Sequence, residues 1–197
     1  MPRIILASHS PRRRQLLEQA GLSDFSVLVP EVDETCDPSL PPDETVAVLS
    51  RRKAEAAAQL AGPGALVIAA DTMVFLDGLR LGKPDSEENA FLMLSALSGR
   101  THHVRTGVTV CLDGRTDTRV QTTGVTFRHL APREIRSYIR TGEPMDKAGA
   151  YGIQGRAALF VTGIRGDYGN VVGLPLCLLG QMLASCGVDL FAGEAEA

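Results

Sequence analysis

Short apolar runs alternate with amphipathic stretches along the chain, and turn-forming residues separate them. Residues 4–6 (Ile-Ile-Leu) predict a buried first strand. Ser10 then suits a helix N-cap, Pro11 the first helical position, and Gly21 the C-terminal end of the same helix. The pattern therefore predicts a strand that leads almost directly into a helix.

A second helix and a second strand follow in the same way. Residues 43–60 place apolar side chains at helical spacing, and Gly-Pro-Gly at 62–64 ends that helix. The apolar run 65–70 predicts a fully buried strand, and Asp-Gly at 77–78 predicts a hairpin turn. These elements suit a sheet that is covered by helices.

The rest of the chain continues this alternation and adds a long hairpin. A third helix is predicted to start at Pro84, with Asp85 and Glu88 spaced as a capping box and Gly99 near its end. The remaining predicted elements are strands 104–112 and 119–130 around the turn Asp113-Gly114, a helix from Pro132 to Gly142, a strand over 158–162 and a helix over 174–186. Because a hairpin is antiparallel, we expect the α/β class with a mixed, twisted sheet and flanking helices.

The composition is that of a globular protein. Of the 197 residues, 44% are hydrophobic and 22% are charged, as in globular proteins, and a chain of this length can bury a sizeable core. We expect residues 1–191 to form a single domain with two lobes and residues 192–197 to form a disordered tail. The formal net charge of −3 argues against a large nucleic-acid-binding face, but a small anionic ligand needs only a local cluster of donors.

Membrane and secreted classes are disfavoured. The apolar run near the N-terminus is too short for a signal peptide, and no stretch reaches the roughly 20 apolar residues of a membrane-spanning helix. The four cysteines are scattered, without a C-x-x-C pair, which is typical of reduced thiols. We expect a cytoplasmic protein that binds neither a membrane nor nucleic acid.

The segment from Ser8 to Arg14 combines a helix start with three arginines. A helix that begins directly after a buried strand offers free backbone N–H groups and a positive dipole end. Arg12, Arg13 and Arg14 conflict with that dipole, which prefers acidic residues in the first turn. A bound anion would remove the conflict, and the alternative is a solvated basic turn that costs a few tenths of a kcal/mol.

Asp71 follows the apolar run 65–70, where a carboxylate is costly unless something compensates its charge. A divalent cation is one solution, with Asp71 as an oxygen ligand. Carboxylates in the turn 31–35 could supply a second ligand: Glu31, Asp33 and Glu34. The alternatives are an aspartate that caps a turn and a solvated acidic loop.

Lysine is rare in this chain. Of 20 basic residues only three are lysine, namely Lys53, Lys83 and Lys147. A lysine that persists against this bias can mark a place where a compact ammonium meets a phosphate oxygen, and chance is the alternative. Lys147 lies in the glycine-rich segment 146–155, which indicates either a backbone that approaches a ligand closely or a surface loop.

Other polar candidates favour structural interpretations. His102 and His103 are expected at a partly exposed strand edge rather than in a metal pair, because adjacent strand residues point to opposite faces. Cys111 lies in an apolar strand and is expected in the core. The sequence contains no P-loop, no G-x-S-x-G and no Cys–His nucleophile pattern.

Seven segments together resemble the Maf family of nucleoside triphosphate pyrophosphatases. They are LASHSPRR at 6–13, LSRRKA at 49–54, ADT at 70–72, GKP at 82–84, LSGRTH at 97–102, DKAGAYGIQG at 146–155 and VVGLP at 171–175. Their order and spacing are specific and cover nearly the whole chain. His9 departs from the family pattern, in which a small residue or Asn is common, but the following Ser-Pro-Arg-Arg is intact.

The resemblance implies a fold, a reaction and a set of site residues. The fold would be similar to that of inosine triphosphate pyrophosphatases, with two lobes around a cleft. A nucleoside triphosphate would be hydrolysed to the monophosphate and pyrophosphate with a divalent cation, Mg²⁺ first and Mn²⁺ or Co²⁺ as alternatives. Together with the helix-start argument, it gives as candidates Asp71 for catalysis, Asp71 and Glu34 for the metal, Ser8, Arg12, Arg13, Lys53 and Lys83 for the phosphates, and Arg12, Thr72 and Gln154 for specificity.

The segment 146–155 is similar to that of the family branch that acts on dTTP and UTP. The amide of Gln154 offers one donor and one acceptor, which complement the O4 and N3–H edge of uracil or thymine. Cytosine presents N4–H₂ and an unprotonated N3, so the same rotamer mismatches it. Gln154 is therefore the residue expected to select the base.

Two other functions stay open at this point. One is a pyrophosphatase of the 7-methyl-GTP branch, and the other is a nucleotide-binding regulator of septum formation without turnover. A carboxylate is a weak base at neutral pH, so Asp71 either accepts a proton or mainly holds a metal that activates water. A homodimer is compatible with the sequence, and the substrate could be a normal or a modified pyrimidine nucleotide.

Overall fold

Strands and helices alternate along the computed structural model, which describes residues 2–191; the predicted tail at 192–197 lies outside that range. The elements are β1 (Arg3–Leu6), α1 (Pro11–Gln19), β2 (Ser26–Val27), α2 (Pro42–Ala61), β3 (Ala65–Leu76), β4 (Leu79–Leu81), α3 (Glu87–Leu97), β5 (Thr101–Leu112), β6 (Arg115–Phe127), α4 (Pro132–Ile139), β7 (Val161–Arg165), α5 (Tyr168–Val172) and α6 (Leu176–Ser185). Short 3-10 helices lie between α4 and β7, at Glu143–Asp146, Ala148–Ala150 and Arg156–Phe160.

The described strands form one mixed sheet of seven strands. Its order is β2-β1-β3-β5-β6-β7, and β4 pairs with β3. Strand β1 is parallel to β2 and β3, whereas β4 and β7 are antiparallel to their partners. The α/β class and the mixed sheet are therefore confirmed. Within residues 2–191, no helix is long and apolar enough to cross a membrane.

The chain divides into two compact units. Within the described range, unit 1 comprises residues 2–71, 106–121 and 173–191, and unit 2 comprises residues 72–105 and 122–172. Strands β3, β5 and β6 each run from one unit into the other. That residues 1–191 act as one domain stays a prediction.

In unit 1, α2 packs closely on the sheet through small residues. Ala54 and Ala57 are fully buried in a cluster with side chains of β1 and β3. On the β5 side, a Cβ added to Gly107 would lie 2.2 Å from Val46 O, so only glycine fits there. This close approach fixes α2, the helix that carries Lys53, against the sheet. Cys111 belongs to the same cluster, which confirms it as a core residue.

In unit 2, aromatic rings surround a histidine. The His102 ring makes edge contacts with Phe127 and Tyr151, at centroid distances of 5.0 and 5.2 Å, and its Nε2 lies 2.8 Å from the Tyr151 hydroxyl. Its exposure is 0%, so the prediction of a partly exposed histidine was wrong. Burial and the nearby His103 lower the pKa of His102 to about 4, so the ring is neutral at pH 7 and can be buried without a charge.

The two predicted hairpin turns are confirmed, whereas the predicted cap of α3 lies one residue away from its observed position. The hairpin turns at 77–78 and 113–114 have positive φ at every residue, as Asp-Gly turns require. The capping box of α3 was placed wrongly: Ser86, not Asp85, accepts the amide of Asn89, at 3.1 Å. The N-cap of α3 is therefore Ser86, one residue later than predicted, and its hydroxyl accepts the capping hydrogen bond in place of the Asp85 carboxylate.

Two boundaries near the end of the chain also differ. Residues predicted as a strand at 158–160 form the end of a 3-10 helix, and β7 begins at Val161. The final helix begins at Leu176 rather than at 174, because Gly173 has a φ of 128° and Pro175 is the N-cap. Helix α5 was not predicted, since its five residues are too few to show a helical period.

Candidate active site

The start of α1 lies at the end of β1, as the pattern predicted. Leu6 is paired with Ile68 of β3, and Ala7 N donates to Ile68 O at 2.8 Å. Ser10 is the N-cap of α1, and its Oγ accepts from Arg13 N at 3.4 Å. Ser10 N donates in turn to Ser8 Oγ at 3.2 Å. The chain therefore turns from the sheet into the helix next to the part of β3 that leads to Asp71.

The three arginines of α1 differ in their surroundings. Arg13 is partly buried, and it donates from Nε to Gly173 O at 2.8 Å and from Nη1 to Ser8 Oγ at 3.1 Å. Arg14 is exposed and donates to His9 O at 3.3 Å. Desolvation lowers the pKa of Arg13, and the negative charge of Asp71 opposes this drop. Arg13 is therefore directed inward, close to a carboxylate.

Arg12 has a guanidinium that no other described residue engages in a hydrogen bond or ion pair. Its side chain is half-buried, and α1 has no acidic residue in its first turn. Arg12 thus adds positive charge to the positive end of a helix dipole without a counter-charge on the same turn. This is the arrangement expected where an anion binds.

Asp71, Lys53 and Glu34 form an ion-pair cluster. Lys53 Nζ lies 2.6 Å from Asp71 Oδ1 and 2.8 Å from Glu34 Oε1. The exposed fraction is 10% for the Asp71 side chain and 63% for that of Glu34, so one carboxylate lies inside and the other faces solvent. Strand β3 continues to Leu76, so Asp71 lies within the strand rather than at its end, which corrects the sequence-based boundary.

The second oxygen of Asp71 has no hydrogen-bond partner among the described residues. Asp71 Oδ2 is buried, and an unsatisfied buried carboxylate oxygen is costly. Within residues 2–191, no group of three or more His, Cys, Asp or Glu side chains could enclose a metal ion. Mg²⁺, however, is commonly held by one or two carboxylates together with waters and substrate phosphates. Asp71 Oδ2 with Glu34 fits such a partial donor set.

The loop that carries Glu34 is fastened to α2 by Arg52. Arg52 Nη1 donates to Thr35 O at 2.7 Å and to Asp33 O at 3.1 Å. The Asp33 carboxylate accepts from Thr35 N and Thr35 Oγ1, both at 2.8 Å, and these bonds hold the pKa of Asp33 below its usual value. Asp33 therefore shapes the turn, and Glu34 reaches Lys53. Sequence reasoning missed Arg52, although it directly precedes Lys53 in the Arg-Arg-Lys run.

The remaining candidates lie in unit 2. Thr72 follows Asp71 in β3 and is half-buried. Lys83 is exposed after β4, and no other described residue pairs with its ammonium. Gln154 is exposed in a turn between two of the 3-10 helices. Lys147, by contrast, donates to Glu143 O at 2.7 Å and to Asp146 Oδ1 at 2.5 Å, so the third rare lysine fixes its own loop.

The residues of unit 1 thus converge, and comparison with known proteins identifies the family. A family model described as Maf-like protein matches residues 3–186. The chain belongs to the Maf family. The resemblance predicted from the seven sequence segments is thereby confirmed.

Individual relatives of this Maf protein agree with that assignment. It is 52% identical over 197 residues to the dTTP/UTP pyrophosphatase of Moorella thermoacetica, across 97% of this chain and 98% of the relative. It is 50% identical over 195 residues to the dTTP/UTP pyrophosphatase of Symbiobacterium thermophilum, across 99% and 100% of the two chains. A HAM1 protein from Coxiella burnetii shares the fold, with a TM-score of 0.50 and 16% identity over 94% of this chain and 100% of that one.

Proposed function

We propose that this Maf protein hydrolyses dTTP and UTP to the monophosphate and pyrophosphate. The observation that carries the proposal is the buried Asp71, which is paired with Lys53 through one oxygen and has an unpartnered second oxygen. Relatives named dTTP/UTP pyrophosphatases match nearly the full length of the chain and support the choice of substrate. A cytoplasmic location is part of the proposal, and the free cysteines of the described chain suit a reducing compartment.

Positive groups of the site neutralise the triphosphate in this proposal. The N-terminal end of α1 supplies backbone N–H groups, and Arg12 and Lys83 supply charges that no described residue pairs with. Positioning and charge stabilisation usually contribute most to phosphoryl transfer, because negative charge is spread over the phosphate oxygens in the transition state. Arg13 contributes charge from inside and keeps Ser8 oriented.

Asp71 and Glu34 are the residues that would hold a divalent cation, with Mg²⁺ first and Mn²⁺ or Co²⁺ as alternatives. When bound, such a cation would lower the pKa of a coordinated water and offset phosphate charge. Lys53 fixes Asp71 Oδ1 and leaves Oδ2 for the cation or for the attacking water. In this proposal Asp71 takes the proton of that water, and the ion pair with Lys53 keeps the carboxylate oriented.

Gln154, Thr72 and Arg12 determine the substrate in this proposal. The Gln154 side chain is exposed and makes no hydrogen bond or ion pair with another described residue, so its amide is available to a base. Its donor and acceptor match the O4 and N3–H edge of uracil and thymine. A carboxylate at this position offers acceptors only. Gln154→Glu should therefore lose most dTTP and UTP turnover, roughly 10- to 100-fold in kcat/KM, and unchanged selectivity would contradict the assignment.

The deciding experiment is a substrate panel. Pyrophosphate release from dTTP, UTP, CTP, GTP and 7-methyl-GTP is measured with Mg²⁺ for the wild type and for Asp71→Asn. We expect dTTP and UTP to be preferred, and Asp71→Asn to reduce their kcat by at least about 100-fold, since an amide neither accepts the proton nor binds a cation well.

The other outcomes of the panel have definite meanings. Preference for 7-methyl-GTP would assign the chain to the other branch of the family. No release from any nucleotide by the wild type would favour a regulator without turnover. Equal release by wild type and Asp71→Asn would contradict both roles given to that carboxylate.

A further inference from the structure

The turn that carries Gln154 is closed on itself and anchored by one apolar residue. Gly155 N donates to Gly152 O at 3.0 Å, so Ile153 and Gln154 are the two central residues of the turn. Ile153 is 8% exposed, whereas Gln154 is exposed. Ile153 therefore packs the turn against the protein, and Gln154 faces solvent.

Hydrogen bonds connect both ends of this turn to one carboxylate, that of Glu143. At one end, Arg156 N donates to Glu143 Oε2 at 3.0 Å. At the other end, Gly152 N donates to the Tyr138 hydroxyl at 3.2 Å, and that hydroxyl donates to Glu143 Oε1 at 2.8 Å. Each oxygen of one side chain thus supports one end of the turn, through bonds that the negative charge strengthens.

Glu143 is itself held in place. Lys147 Nζ donates to Glu143 O at 2.7 Å, and Glu143 N donates to Thr141 Oγ1 at 3.2 Å. Tyr138 is only 4% exposed, so packing restricts where its hydroxyl can lie. A carboxylate with a fixed backbone and fixed partners has a defined position, and its hydrogen bonds transmit that position to the turn.

The turn lies directly against this carboxylate. A Cβ added to Gly155 would lie 2.1 Å from Glu143 Oε1 and 2.4 Å from Glu143 Cδ. The φ of Gly155 is −104°, which any residue can adopt, so the backbone conformation does not require glycine. The nearby carboxylate is what excludes a side chain here.

We propose that Glu143 is a positioning residue for Gln154, and that base selectivity depends on it although it touches no substrate. This inference rests on the proposed function, in which Gln154 reads the base. It goes further in assigning the orientation of the Gln154 amide to Glu143, eleven positions away in the chain. Two other residues take part in this arrangement. Tyr138 links the Glu143 carboxylate to the amide of Gly152, and Gly155 has no side chain that would clash with that carboxylate.

The structural part is tested by amide hydrogen exchange without any nucleotide. Glu143→Gln keeps the size of the side chain but replaces one acceptor oxygen with a donor. We expect the amide of Gly152 or of Arg156 to exchange about tenfold faster, because one of the two bonds is lost. Glu134→Gln is the matched control: Glu134 also accepts from a backbone amide, Ala131 N, and from a side chain, Arg128, in the same unit. Exchange at the Gln154 turn should be unchanged in that control.

The functional part is tested by selectivity. In Glu143→Gln, the ratio of kcat/KM for UTP over CTP should fall about tenfold, mainly through KM for UTP, because base contacts form already in the bound substrate. Tyr138→Phe and Gly155→Ala should shift the ratio in the same direction by independent routes. In a Gln154→Ala background, Glu143→Gln should change the ratio no further, since the group it positions is gone.

The outcomes separate this inference from the proposed function. If the wild type hydrolyses neither dTTP nor UTP, the proposed function fails, and exchange alone decides whether Glu143 holds the turn. Unchanged exchange at Gly152 and Arg156 overturns the inference in either case. In an active protein, a lower Tm with an unchanged UTP-to-CTP ratio also overturns it, because that result describes a purely structural residue.

Discussion

Three adjacent arginines in α1 illustrate how far side-chain surroundings can diverge within one helical turn. The Arg12 guanidinium has no hydrogen-bond or ion-pair partner among the described residues. Arg13 donates to Gly173 O and Ser8 Oγ, whereas Arg14 is exposed and donates to His9 O. A helix turns by about 100° per residue, so neighbouring side chains face different directions. Their contributions to binding and to stability should therefore differ.

Replacing each arginine by alanine separates these contributions. Arg12→Ala should raise KM for UTP about tenfold and leave Tm unchanged, because the proposed function assigns this charge to the phosphates and no hydrogen bond to another described residue is broken. Arg13→Ala should lower the free energy of unfolding by about 2–3 kcal/mol, because two internal hydrogen bonds of a charged donor are lost. Arg14→Ala is the control for charge and should change neither quantity appreciably. Steady-state kinetics and urea unfolding measure both effects, and a stable Arg13→Ala would contradict the inward role.

At the residue scale, the sequence predicted contacts within one segment better than contacts between distant segments. The capping by Ser10 was predictable, because the amide that it accepts is three residues away. The Lys53 ammonium between Asp71 and Glu34 was not, because its partners lie 18 and 19 positions away, on β3 and on the loop before α2. The hydrogen bonds of Arg52 and Glu143 were missed because their partners also lie outside the local sequence pattern.

At the scale of elements, α2 and β5 depend on one close contact. The sequence predicted α2 over 43–60, and the helix spans Pro42–Ala61, because apolar spacing and the glycine after it are local signals. That Gly107 must be glycine follows only from Val46 O on another element. The 3-10 helix Arg156–Phe160 was missed since so short an element has no helical period to recognise.

Gly107→Ala tests that contact. The added methyl would lie 2.2 Å from a backbone oxygen, which cannot rotate away, so α2 or β5 has to move. We expect a loss of about 2–3 kcal/mol in the free energy of unfolding. Turnover should also fall if the proposed function is right, because α2 carries Lys53, which pairs with Asp71. Gly163→Ala in β7 is the control, since an added Cβ there meets nothing within 4 Å. Equal Tm values for the two variants would contradict the argument.

For the whole molecule, the fold class was predictable and the strand order was not. The Asp-Gly hairpin at 113–114 already required an antiparallel pair, and the strand–helix–strand start favoured parallel ones, so a mixed sheet followed. The place of β1 between β2 and β3 depends on which apolar faces pack, and that is not encoded in any one segment. No local pattern indicated that His102 is buried, since its partners Phe127 and Tyr151 lie 25 and 49 residues away.

Burial of His102 makes the stability of the protein depend on pH in a defined window. Its folded pKa of about 4 lies below the ordinary value of 6.5, so between these values the unfolded chain binds a proton that the folded chain does not. The contribution of neutral His102 to the free energy of unfolding is therefore fully present above pH 6.5. It is lost as the pH drops towards 4, by roughly 3 kcal/mol in total. The carboxylate of Glu134, whose pKa Arg128 lowers to about 2, acts in a more acidic window.

His102→Gln removes this titration while keeping a polar group that can bond to the Tyr151 hydroxyl. The free energy of unfolding in urea, measured from pH 7 to 4.5 for both proteins, should fall more steeply for the wild type, because the variant retains only the carboxylates that both share. The advantage of the wild type over the variant should therefore shrink as the pH falls, and this comparison does not depend on how much the variant is destabilised at pH 7. Parallel curves over this range would mean that His102 is protonated in the folded protein as readily as in the unfolded chain, which would contradict its burial among Phe127 and Tyr151.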